Sequence, residues 1–146
     1  MKLKLRQMKN SEFKISQTID VLPEEAWEVI GAVSGVDQWL MPITDCKVEG
    51  NKRYCSTEDG SFEEDILNVD HHSMQLDYAI PHQHMIPVMN ILGSMKVSDN
   101  DGKAEISWSW TFDVTDENEA PAKEAFGMVG GMGIQGIESL IKEKVA

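Results

Sequence analysis

EISWSWTFDV, residues 105–114, reads as a strand with one apolar face. Ile106, Trp108, Trp110 and Phe112 alternate with Ser107, Ser109, Thr111 and Asp113, the period of two that a pleated strand imposes. Aromatic side chains this large bury ~150–250 Å² each, so the strand requires a thick apolar layer against it. On its C-terminal side, Pro121 opens a long helical stretch to Val145. Its apolar positions Ala125, Met128, Met132, Ile137, Leu140 and Ile141 recur at spacings compatible with one helix face. On its N-terminal side, the turn Asn100-Asp101-Gly102 leads back to a strand over 88–97, a loop over 81–87 and a strand over 74–80 with Met74, Leu76, Tyr78 and Ile80 on one face.

Earlier still, Asp70-His71-His72 and 58–61 are turns around a strand at 62–69. Gly50-Asn51 is a two-residue hairpin turn between strands at 43–49 and 52–57. That turn pairs Glu49 with Lys52 and Val48 with Arg53, and sets Cys46 opposite Cys55 at a non-hydrogen-bonded site, where side chains approach most closely. Residues 13–21 alternate as a first strand. Pro23, Glu24 and Glu25 then suit the start of a short helix ending near Gly31, and a second short helix is expected over 35–40. The order is strand, two short helices, six strands and a long helix. Six hairpin-linked strands form an antiparallel sheet, and only the C-terminal helix is long enough to cover its apolar face. The fold class is α+β in a single domain, 1–146, with no internal repeat or linker.

Composition narrows the functional classes. The net charge is −12, yet residues 1–10 carry Lys2, Lys4, Arg6 and Lys9 and no acid. Taking those four positive charges from the total leaves −16 on the rest, which repels nucleic acid and anionic membranes. Residues 1–10 read as a basic arm or a solvated chain end. No apolar run approaches the ~20 residues of a membrane span, and Lys and Arg interrupt Leu3 and Leu5, so no signal peptide is expected. A cytoplasmic location follows as the expectation, with the two cysteines as reduced thiols. Either a monomer or a dimer is compatible with the pattern.

Together these elements resemble the helix-grip fold of the START-related superfamily (SRPBCC), in its polyketide cyclase/dehydrase-like branch. The resemblance spans about residues 13–140. It is carried by Leu22-Pro23-Glu24-Glu25-Ala26-Trp27, Asp37-Gln38-Trp39, Arg53 after a hairpin turn, Asp59-Gly60, Glu64-Asp65-Ile66-Leu67, Tyr78-Ala79-Ile80, Pro87-Val88-Met89-Asn90 and Ser107-Trp108-Ser109. It implies a curved sheet of about seven strands wrapped around the last helix, and a cavity for a small hydrophobic or aromatic molecule entered beside 58–61 and 81–87. The implied lining is Thr44, Cys46, Arg53, Cys55, Phe62, Glu64, Ile66, Tyr78, Ile80, Val88, Ile91, Trp108, Trp110 and Phe112, with Met128, Met132 and Gln135 from the helix.

Among these, Glu64 shares a strand face with Phe62 and Ile66. A carboxylate in an apolar pocket can work as a general acid or base, contact a polar ligand group, or pair with Arg53. Arg53 can clamp a ligand carboxylate through its planar fork or bend to solvent. Tyr78 can orient a ligand oxygen or bond to backbone. Gly127, Gly130, Gly131, Gly133 and Gly136 each forgo ~0.8–1 kcal/mol of helix propensity relative to Ala; close helix–sheet approach, room for a ligand, or a broken helix are the three readings. His82 and His84 supply only two metal ligands with no third at matched spacing, and no P-loop, dinucleotide fingerprint or nucleophilic Ser/His/Asp set points to a cofactor. The leading expectation is a carrier or sensor of a small apolar ligand. The alternatives are a cyclase, dehydratase or isomerase with Glu64 as its acid–base group, and a protein-interaction module of chaperone-cofactor type.

Overall fold

A computed structural model describes residues 7–145. The elements are β1 (Lys9–Ile19), α1 (Pro23–Ile30), a 3₁₀ turn (Val36–Gln38), β2 (Asp45–Glu49), β3 (Lys52–Thr57), β4 (Gly60–Asp70), β5 (Gln75–Ile80), β6 (Met89–Asn100), β7 (Lys103–Val114) and α2 (Asp116–Val145). The seven strands form one antiparallel sheet in the order β1-β7-β6-β5-β4-β3-β2. The first strand therefore crosses over to pair with the last, and the hairpins between them run in simple succession. This is the α+β helix-grip architecture expected from the pattern of elements. The basic residues Lys2, Lys4 and Arg6 lie outside the described residues, whereas Lys9 opens β1. There its Nζ lies 2.8 Å from both Asp116 and Glu119, pinning the strand to the first turn of α2.

The Gly50-Asn51 turn sets the β2–β3 register as expected, with Cys46 opposite Cys55. The two cysteines form a disulfide across a Cα–Cα distance of 4.3 Å, which corrects the expectation of reduced thiols. That expectation rested on compartment, whereas the hairpin geometry places both sulfurs on the same face at the closest-approach site of the ladder.

α2 begins at Asp116, before Pro121, which sits inside the helix at the cost of one i→i−4 hydrogen bond. The face α2 turns inward matches the expected one at Ile137 and Ile141 and departs from it at the methionines. Ala122, Phe126, Gly130, Gly133, Ile134, Ile137 and Ile141 are buried, while Met128 and Met132 are 63% and 47% exposed and Gln135 is exposed. The glycines explain this orientation. A Cβ at Gly130 would meet Ile15 Cγ2 at 2.7 Å and Trp110 Cη2 at 3.1 Å, and one at Gly133 would meet Trp108 Cζ3 at 2.7 Å. At Gly136 it would overlap the backbone carbonyl of Trp39. The helix thus presents a notched face to bulky indoles, so close approach is the reading that holds at these three positions. At Gly131 a Cβ would meet nothing within 4 Å.

Two stability measurements follow. Gly136→Ala forces backbone apart and should lower Tm steeply, whereas Gly131→Ala should raise stability by about 1 kcal/mol, ~2–5 °C at this size; equal shifts in thermal melts would refute the close-packing account. Opening the Cys46–Cys55 bridge, which spans a sequence separation of 9, should remove about 2–3 kcal/mol. Denaturant melts of the native chain with and without a thiol reductant, set beside a Cys46→Ser/Cys55→Ser variant, check it: the reduced chain and the variant should coincide.

Candidate functional site

The concave side of the sheet divides into two halves. α2 packs on β1 and β7, and the space beneath it is filled with aromatic rings. Trp108 stacks on Trp110 at 4.8 Å between centroids, Trp110 on Phe126 at 4.9 Å, and Phe126 on Phe112 at 4.9 Å. Trp39 closes one end edge-on to Trp108 at 6.0 Å. Trp110 and Phe112, expected as cavity walls, are therefore core, and Phe126 joins them. The sequence reading missed Phe126, although it lies four residues before Gly130 on the notched face.

The other half, β3 to β5, carries a buried polar cluster. Arg53 and Glu64 face each other across the β3–β4 ladder and are 5% and 6% exposed. Arg53 Nε donates to Glu64 Oε1, and its Nη1 donates to the Val33 carbonyl at 2.8 Å. Val33 holds a positive φ of 69°, an outlier for a β-branched residue, so the guanidinium ties down a strained loop between α1 and the 3₁₀ turn. The guanidinium carbon also lies 5.6 Å from the centre of the Tyr78 ring. Tyr78 lies flat over Gly93 of β6, where a Cβ would overlap its ring. Its hydroxyl accepts the indole N–H of Trp108 at 2.9 Å and that of Trp110 at 3.1 Å. Burial, and then the Glu64 charge, push the Tyr78 phenol well above its usual pKa.

Apolar side chains lead from this cluster to the rim. Phe62 lies two residues from Glu64 on the same face of β4, and Ile80 lies two residues from Tyr78 on β5; both are only partly buried, as is Ile66. Ile80 and Val88 open onto a cleft of about 440 Å³ between the 81–88 loop and α2, whose Asn118 also lines it. Phe62 borders a second cleft of about 300 Å³ lined also by Tyr54, Ser61, Glu63, Pro81 and His82, in which Tyr54 and Glu63 belong to the outward face of β3 and β4. Gln83 stiffens the loop between them, its Oε1 accepting from Met85 and Ile86 N–H at 2.9 Å and its Nε2 donating to the Ile86 carbonyl at 2.8 Å.

The structure thus brings together Arg53, Glu64, Tyr78 and Trp108, with Phe62, Ile66, Ile80, Val88 and Ile91 around them. It does not bring Met128, Met132 or Gln135 to the site, and Thr44 is exposed. The Val33 carbonyl has no signature in sequence, since any residue supplies one. His82 and His84 are exposed, and among the described residues no group of three His, Cys, Asp or Glu side chains could hold a metal ion. His71 lies in the β4–β5 turn and accepts the Trp27 indole N–H at 3.1 Å. No helix among the described residues is long and apolar enough to cross a membrane.

The Tyr78 shift carries a pH consequence. Because its phenol is raised in the folded chain, the stability it contributes is complete below the unfolded value of 10.0 and is lost as pH climbs beyond it. A spectrophotometric phenolate titration should show the Tyr78 step only as the chain unfolds, and Tyr78→Phe should abolish that late step.

Comparisons with known proteins agree with this architecture. The family model described as polyketide cyclase / dehydrase and lipid transport matches residues 11–143. No protein of curated function matches the chain in sequence. Among solved structures, the protein XoxI from Bacillus cereus superposes with a TM-score of 0.81 at 21% identity, covering 93% of this chain and 99% of its own. An uncharacterized protein from Bacillus thuringiensis gives 0.80 at 20% identity, covering 90% and 98%. A point mutant of norcoclaurine synthase from Thalictrum flavum, in complex with a transition-state analogue, gives 0.73 at 12% identity, covering 96% and 99%. With its sheet, its gripped helix and a family match running from β1 into α2, the chain belongs to the polyketide cyclase / dehydrase and lipid transport family.

Proposed function

We propose that the protein binds a small, largely apolar ligand between the β3–β5 half of the sheet and the 81–88 loop, as a carrier or sensor. One observation supports this reading above the others: a buried polar cluster, Arg53, Glu64 and Tyr78, lies two residues along β4 and β5 from Phe62 and Ile80, which line clefts beside the 81–88 loop. Sites for small molecules have this composition, apolar walls with a few fixed polar groups. The filled space beneath α2 argues against a ligand lying along the helix and moves the site toward β3–β5.

The enzyme reading has its own support. Tyr78 supplies a phenol and Glu64 a carboxylate within one buried cluster, and the Glu64 charge is felt at the phenol, the kinds of group a cyclase, dehydratase or isomerase uses. In that reading Glu64→Gln abolishes turnover while leaving ligand affinity nearly intact; equal loss of both favours binding alone.

A thermal-shift screen against flat aromatic, polyketide-like and fatty-acid ligands tests the binding reading. Ligand at a hundredfold over Kd should add about 2.7 kcal/mol, roughly 5–11 °C at this size. The shift should disappear on Ile80→Arg, which places a charge at the cleft mouth. An absence of any shift across all three classes would sink the proposal.

A further inference from the structure

We propose that residues 1–6 dock into the cleft between the 81–88 loop and α2, so that the chain's own N-terminus competes with the ligand for that cleft. The competition rests on the ligand-binding reading above; the docking does not.

The path of the chain is the first observation. Lys9 pairs with Val114, the last residue of β7, so β7 offers no partner to the residues before Lys9. The chain reaches Lys9 past Met8, which lines the cleft of about 440 Å³ together with Ile80, Ile86, Val88 and Asn118. Residue 6 is therefore two positions from a side chain that already forms the cleft wall. Six extended residues span up to about 20 Å, so reach is not limiting.

The pattern of the segment is the second. Residues 1–6 read Met-Lys-Leu-Lys-Leu-Arg, apolar and basic in strict alternation, which in extended form gives one apolar and one cationic side. The cleft presents both complements. Its wall is apolar at Met8, Ile80, Ile86, Val88 and Met89, and Met8 and Met89 are exposed. Large apolar side chains grouped beside a cleft mark a surface that an apolar partner covers.

Charge supplies the third. Asp113, Asp116, Glu117 and Glu119 stand where β7 passes into α2. Asn90, which lines the cleft, donates to Asp113 at 2.8 Å, so this carboxylate adjoins the wall itself. Lys9 and Lys123 are the cations paired with these carboxylates among the described residues, and four negative charges against two leave the region acidic. No Lys or Arg lines the cleft. Lys2, Lys4 and Arg6 thus meet attraction there, whereas an anionic partner meets like charge.

Methyl-labelled full-length chain at low salt tests the docking directly. Leu3 and Leu5 methyls should show nuclear Overhauser cross-peaks to the methyls of Ile80, Ile86 or Val88, and the cross-peaks should weaken in 1 M NaCl as screening removes the charge attraction. The competition is read with N-phenyl-1-naphthylamine, an uncharged fluorescent probe of apolar sites. A segment docked three-quarters of the time lowers apparent affinity about fourfold, so Leu3→Asp/Leu5→Asp should bind the probe roughly fourfold more tightly than the native chain. Native chain without the cross-peaks would overturn the docking, and equal probe affinity in chain and variant would overturn the competition; in both cases probe binding keeps the ligand reading in place. Cross-peaks that vanish on dilution would give the cleft to the N-terminus of a second copy and overturn the intramolecular form. A probe that binds neither protein counts against the ligand reading and the competition together, while the cross-peaks still decide the docking.

Discussion

Everything in this molecule depends on how closely α2 can approach β7. Sheet-to-helix packing normally keeps side chains on both partners, but here one partner has tryptophans and the other has glycines. Gly130 and Gly133 receive the edges of Trp110 and Trp108, and Gly136 lets the helix backbone lie against the Trp39 carbonyl. Five helix glycines forgo roughly 4–5 kcal/mol of intrinsic propensity. The return comes from indole surface buried at close range, which dispersion rewards only when no void remains. A consequence is that the aromatics are consumed by the core, and the place left for chemistry shifts to the strands that α2 does not cover.

Tyr78 joins those two regions. Its ring fits over Gly93 for the same reason that Trp108 fits over Gly133: a missing Cβ gives an aromatic ring a flat seat. Its oxygen then satisfies two indole N–H groups that would otherwise be buried donors, each costing about 1–3 kcal/mol if unpaired. Trp39 shows the alternative, since its own Nε1 is buried with no partner among the described residues. The polar cluster is therefore part of the scaffold as well as a candidate site. Arg53 extends the same network to the strained Val33 loop, so the conformation of that loop and the orientation of the polar groups are linked through one guanidinium.

Much of the fold was legible in the sequence because it rests on period and turn chemistry. The alternation from Ile106 to Phe112 and the Gly50-Asn51 turn each specify a register, and strand parity then aims Arg53, Glu64 and Tyr78 inward. The helix face was not legible in the same way. Reading it by hydropathy favours Met128 and Met132, yet the buried stripe is decided by which residues are small enough to admit an indole, a property of the partner surface. The disulfide was misjudged for another reason: geometry favoured the pair and an assumption about compartment overrode it. The Val33 carbonyl belongs to a third class, a backbone group whose role exists only once the chain is folded.

The sheet is open, and among the described strands β1 pairs with β7 alone. Its other side is an edge of eleven residues, long enough to template growth by another chain. The solvent-facing positions of β1 include Lys14, Glu12 and Thr18, and charges on an edge strand discourage such pairing. The β2 edge is handled differently, being only five residues long and cross-linked to its neighbour. Each border of the sheet thus carries its own safeguard against polymerisation, charge along the long edge and brevity at the short one.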